Sequence, residues 1–197
     1  MDVQTYLNST DSIPDIEYTP IIDNKKSIFI YKRNVLDSST YNIVHKWLDT
    51  KTFIDGKCVS GREIPRQQLW FQKDKHYFCG AWKSRYKRWE AQDTYPSILD
   101  DLSDTLLAIA NPVLAKHDIK SPNINSCLVN KYRDGSDSIR AHRDTYLSFG
   151  TTPVICGYSL GSGRILRIRR LHNPDTFKSL KIIKQSDEHI DFFLESN

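Results

Sequence analysis

Apolar positions along the chain change their spacing part of the way through. Early on they recur at helical intervals. Asp37-Ser38-Ser39 is a capping sequence, and Tyr41, Ile43, Val44, Trp47 and Leu48 follow it at a helix period. Pro96 suits the first turn of a second helix. Ile98, Leu99, Leu102, Leu106, Ile109 and Ala110 make one face of that helix, and Pro112 is expected to end it. Ser27 to Tyr31 reads as a short strand. From Ser126 onward the runs are short and rich in Val, Ile, Phe and Tyr: 127–132, 153–160, 164–168, 180–183 and 190–194. Turn-formers separate them, among them Asp134-Gly135, Gly161-Ser162-Gly163 and Asn173-Pro174. Helices followed by closely spaced strands predict an α+β domain with an antiparallel sandwich or barrel.

Composition leaves this picture intact and removes others. The 197 residues are 39% hydrophobic and 26% charged, ordinary values for one globular domain. No apolar run approaches the roughly 20 residues of a membrane span, and Met1 to Pro14 is polar and acidic, unlike a signal peptide. A soluble, intracellular protein, cytoplasmic or nuclear and monomeric, with no membrane partner, is expected. Residues 1–26 read as an irregular arm and 27–197 as the domain. Cys58, Cys79, Cys127 and Cys156 are scattered without a CxxC pair, so buried free thiols are expected.

Net charge is only +4, but it is unevenly placed. Residues 61–90 hold eight Lys or Arg against Glu63, Asp74 and Glu90. Trp70, Phe71, Tyr77, Phe78, Trp82, Tyr86 and Trp89 interleave with them. Cations answer phosphates and aromatic faces answer unstacked bases, so this mixture suits single-stranded nucleic acid or a flipped base. A solvated loop with its aromatics packed on the core has the same composition.

The chemistry-bearing stretch is 130–144. His142 and Asp144 form an H-x-D pair, and residues two apart on extended backbone share a face. Imidazole plus carboxylate is part of the ligand mix of a non-heme Fe(II) facial triad. Asn130 and Tyr132 precede them across the Asp134-Gly135 turn. Pro153 to Gly161 and Arg164 to Arg170 follow, and Pro65-Arg66 and Tyr77-Phe78-Cys79-Gly80 lie upstream. In this order the residues resemble the AlkB-like family of 2-oxoglutarate and Fe(II)-dependent dioxygenases, from about Ile28 to Leu194.

That resemblance implies a double-stranded β-helix, or jelly roll, flanked by N-terminal helices. It implies His142 and Asp144 as iron ligands and catalytic residues, with Asn130 and Tyr132 binding the cosubstrate 2-oxoglutarate. It places 65–80 in a lid that grips a nucleotide, with Arg66 and Phe78 as substrate contacts. The implied activity is oxidative dealkylation of alkylated bases in DNA or RNA, a repair reaction. The family also uses a second histidine and an arginine-bearing strand, both well after H-x-D. His172 follows Asp144 closely and sits in a turn, and His189 precedes an apolar strand, so neither is expected to complete the triad. On this reading the domain is truncated at its C-terminal strands. Two other functions fit the same residues: a 2-oxoglutarate oxygenase of protein or a small molecule, and an inactive nucleic-acid-binding remnant of the fold.

Overall fold

The computed structural model describes residues 20–24, 27–58, 60–73, 86–87, 91–92, 94–144, 149–150, 152–169 and 189–197. Phe78, His172 and most of the basic aromatic stretch beyond Lys73 lie outside the described residues, as does the expected strand 180–183. The chain forms two compact units. One comprises 1–41 with 158–197, and the other 42–157.

In the second unit, α1 (Ser38–Asp49) enters from the first. Four antiparallel strands follow in the order β5-β3-β4-β6: β3 (Ile54–Cys58), β4 (Glu63–Gln72), β5 (Tyr86–Lys87) and β6 (Ser126–Lys131). Between β5 and β6 lies α2 (Ser97–Lys116). The expected capping sequence works as read. Asp37 Oδ1 accepts from the backbone N–H groups of Ser39 and Thr40 at 2.9 and 3.0 Å, relieving two free donors of the first turn.

Pro112 does not end α2. The helix runs one turn further, to Lys116, because Leu114 in that last turn is buried. Burial of a leucine, worth roughly 2 kcal/mol, offsets much of the proline penalty of about 3 kcal/mol. The end comes at Asp118, whose φ of 56° is left-handed, and the Ile119 N–H returns to the Leu114 carbonyl at 2.8 Å.

β4 is the central strand, ten residues long, and it takes in Pro65 and Arg66 from the expected lid. Its second half, 68–72, is buried on both faces. Alternation sends Leu69 and Phe71 to one side, where they meet Leu99 of α2. Trp47, Phe53, Tyr95, Ile98, Cys127 and Val129 complete this core, and the Trp47 and Phe71 rings stand 5.7 Å apart. Gln68, Trp70 and Gln72 point to the other side, where Trp70 Nε1 donates to Ser126 Oγ at 3.0 Å. A strand buried on both faces shows no polar alternation, so the sequence pattern does not announce it.

The first unit holds two antiparallel pairs: β1 (Pro20–Asn24) with β2 (Ser27–Ile30), and β7 (Arg164–Arg169) with β8 (His189–Leu194). β1 corrects the expectation of a wholly irregular arm over 1–26. Residues 20–24 find backbone partners in 27–30, which local composition does not reveal. Asn197 ties the unit together. Its Oδ1 accepts from the Leu36 N–H and the Tyr158 hydroxyl, both at 2.9 Å, and its Nδ2 donates to the Leu36 carbonyl at 2.7 Å. Burial pushes the Tyr158 hydroxyl up to about 12.

The architecture is therefore α+β, with two helices and small antiparallel sheets of two, four and two strands. A closed double-stranded β-helix is not seen among the described residues, and 153–160, expected as a strand, joins no ladder there. No described helix is long and apolar enough to cross a membrane.

Two outcomes follow from this core. Phe71→Ala should lower unfolding free energy in urea by about 3–5 kcal/mol, the cost of an emptied aromatic site. Burial pushes the Cys127 thiol up to about 11, above its ordinary 9.0. Its contribution to stability is thus complete below about pH 9 and lost as pH rises toward 11, because only the unfolded chain releases that proton there. A pH series of urea midpoints should show this fall, and Cys127→Val should flatten it.

Candidate functional site

The site is built on the face of β4 and β6 that turns away from the helices. Gln68 of β4 and Asn130 of β6 are register partners, so their side chains stand side by side. Arg66, two residues before Gln68, shares that face. Arg66 Nε donates to Asn130 Oδ1 at 2.8 Å, and Gln68 Nε2 donates to the same oxygen at 2.9 Å. Since a guanidinium only donates, Asn130 must present its oxygen here. Gln68 must then present its NH2, and the Asn130 NH2 is left facing away from both donors. Among the described residues no acceptor takes the Asn130 Nδ2 hydrogens. Arg66, expected as a substrate contact, and Asn130, expected as a cosubstrate contact, are thus directly bonded.

β6 ends at Lys131, so Tyr132 lies one residue past the ladder, half-buried. The loop that follows is held by carboxylates. Asp134 Oδ1 accepts from both the N–H and the Oγ of Ser136, at 2.8 and 2.6 Å, closing the turn before Asp137. Those two bonds hold the Asp134 carboxyl below the ordinary carboxylate range. Asp137 is only 3% exposed. It accepts from the Arg133 backbone N–H, Nε and Nη2, each at 2.8 Å. The Asp137 bonds push the Arg133 guanidinium further above its usual range. Next, Ser138 fastens the loop to β4. Its N–H donates to the Pro65 carbonyl at 2.8 Å, and its carbonyl accepts from Arg66 Nη1 at 3.4 Å.

His142 and Asp144 close this stretch. They lie on irregular backbone, not on a ladder strand, yet their side chains converge. His142 Nε2 is 3.8 Å from Asp144 Oδ1. His142 Nδ1 lies 2.7 Å from the Arg140 carbonyl, which can only accept, so Nδ1 carries the proton. With Nδ1 so engaged, Nε2 is the ring nitrogen turned to the side where Asp144 stands. A ring nitrogen fixed by a backbone carbonyl is the usual support of a metal-binding histidine. Both side chains are open to solvent, the imidazole half exposed. The donor set fits two positions of a facial triad. Among the described residues no group of three His, Cys, Asp or Glu side chains forms, and His189 sits at the exposed start of β8 in the other unit, opposite Arg169.

Two contributors have no direct signature in the sequence. Asp137 stands four residues after Arg133, the one spacing that hints at their pairing. Gln68 reads as one more polar residue of a basic stretch, and only the β4–β6 register brings it to Asn130.

Residues 29–197 match the family model described as the 2OG-Fe(II) oxygenase superfamily. No curated protein matches the chain.

Asp137→Ala removes three charge-assisted bonds, one of them to backbone. Unfolding free energy should fall by about 2–4 kcal/mol. Limited proteolysis within 133–141 should be faster than in the unsubstituted protein.

Proposed function

The chain belongs to the AlkB-like 2OG-Fe(II) oxygenase superfamily, a family of dioxygenases that use Fe(II) and 2-oxoglutarate, and from that premise we propose that it dealkylates nucleobases of DNA or RNA oxidatively. The observation that carries the site is the His142–Asp144 convergence, with the imidazole tautomer set by the Arg140 carbonyl. His142 and Asp144 would hold the iron. When bound, Fe(II) supplies oxygen activation at open coordination positions. Asn130 offers an NH2 donor suited to a carboxylate of 2-oxoglutarate, and Tyr132 supplies a hydroxyl just past the same strand. The Arg133–Asp137 clasp holds the loop between the Asn130–Tyr132 pair and the His142–Asp144 pair.

The net reaction consumes oxygen and 2-oxoglutarate and yields succinate and CO2. One oxygen atom enters the alkyl carbon on nitrogen, and the hydroxyalkyl product releases an aldehyde and the unmodified base. The double-stranded β-helix is the fold this reading expects. The substrate class rests on the eight cations of residues 61–90 and five of its aromatics, since Trp70 and Phe71 are buried in the fold. Phe78 is the proposed stacking residue. Arg66, bonded to Asn130, is the proposed second substrate contact.

Full-length protein with Fe(II), 2-oxoglutarate and methylated oligonucleotides should release succinate at least about 100-fold faster than His142→Ala or Asp144→Ala. If no methylated oligonucleotide raises succinate above the His142→Ala background, the nucleic-acid reading is wrong. Charge reversal at Arg85, Lys87 and Arg88 should also flatten the salt dependence of single-strand binding. Loss of three phosphate contacts lowers the log–log slope by roughly 2. An unchanged slope would favour a protein or small-molecule substrate.

A further inference from the structure

Gln68 is 3% exposed, yet among the described residues its Oε1 has no hydrogen-bond donor. A buried amide oxygen without a partner costs about 1–3 kcal/mol, so such groups are rare and call for a reason. The alternative rotamer explains why Gln68 accepts this cost. Flipping the amide would set Oε1 against Asn130 Oδ1, oxygen facing oxygen. Asn130 cannot flip in response, because Arg66 Nε already donates to its oxygen. Orientation is therefore dictated from Arg66 through Asn130 to Gln68, and the unsatisfied oxygen is the residue of that constraint.

The backbone makes room for this arrangement. β3 carries an irregularity between Asp55 and Lys57, where Gly56 sits. A Cβ at Gly56 would stand 3.2 Å from Gln68 Oε1 and 2.9 Å from Ile64 Cδ1. Neighbouring strand and glycine together leave the Gln68 amide its space.

We propose that Arg66 and Gln68 are positioning residues that lock the Asn130 side-chain amide in one orientation, with its NH2 presented to a carboxylate of the cosubstrate. The proposal rests on the reading above that Asn130 binds 2-oxoglutarate. Two donors converging on one acceptor stop rotation about the Asn130 Cβ–Cγ bond. An amide free to rotate would offer oxygen to the carboxylate half the time, a repulsive contact. Locking it removes that entropy and that wrong state before the cosubstrate arrives.

The test measures 2-oxoglutarate affinity by calorimetry with Mn(II) in place of Fe(II), alongside KM, kcat and thermal midpoint. Gln68→Met keeps volume and removes both the donor and the orphaned oxygen. It should weaken 2-oxoglutarate binding by up to about twofold, the limit for an amide turned the right way half the time, while leaving the thermal midpoint unchanged or raised, a pattern that a merely structural glutamine would not give. Arg66→Ala should weaken binding to a similar degree, and Arg66→Lys should restore part of it. KM for 2-oxoglutarate should rise with little change in kcat. Adding either substitution to Asn130→Ala should cost nothing further, since both act through the amide already removed.

Outcomes separate the two layers. If Asn130→Ala weakens 2-oxoglutarate binding but Gln68→Met and Arg66→Ala do not, the positioning idea falls and the Asn130 assignment survives. Fully additive losses in the double variants would also overturn it. Should Asn130→Ala bind 2-oxoglutarate like wild type, the Asn130 assignment itself fails and takes the positioning proposal with it.

Discussion

Pairing of β4 with β6 is the constraint on which the second unit depends. The ladder runs without a break from Gln67–Lys131 to Gln72–Ser126. One residue of slip in β6 would turn Cys127 and Val129 away from α2 and send Asn130 into the apolar core. The apolar face therefore fixes the register, and the register places the polar face. Burial of Leu69, Phe71 and Leu99 supplies the energy, and the same pairing sets Gln68 opposite Asn130.

Carboxylates do different work according to burial. Arg167 and Asp191 make a bidentate pair across β7 and β8, with both contacts at 2.6 Å. The Arg167 bonds hold the Asp191 carboxyl below its usual range. That pair stabilises above the ordinary carboxylate pKa and weakens as acid protonates Asp191, but its exposed arginine keeps the net contribution small. Asp137 is different because water cannot replace its partners. It gathers backbone and guanidinium donors of Arg133 and so shapes the loop that leads to His142. A buried carboxylate left without these donors would be strongly unfavourable, so the loop conformation is coupled to that one pair.

Much of the fold was legible locally. The Asp37 cap, the apolar face of α2 and strands β2, β6, β7 and β8 all follow from periodicity and turn residues. β4 was not, since a strand buried on both faces loses its alternation and also carries Pro65 and Arg66. The length of α2 past Pro112 was not, since burial of Leu114 outweighs a local rule. β1 was hidden because its partner, not its composition, makes it a strand. Within the site, H-x-D and N-x-Y were visible as residue types at fixed spacing. Their supports, Asp137 and Gln68, were not, because each acts through a partner that folding brings near.

By itself the sequence determined membership of the oxygenase superfamily, the helices and most strands, and the residue types offered to a metal and a cosubstrate. These are properties of order and spacing along the chain, and the chain carries them before it folds. Only the tertiary structure decided which nitrogen of His142 keeps its proton, which end of the Asn130 amide is committed, and which carboxylate is buried. Each of those depends on a donor or acceptor fixed in space by another segment. A proton's position is set by the group it faces, and the sequence does not say which group that is.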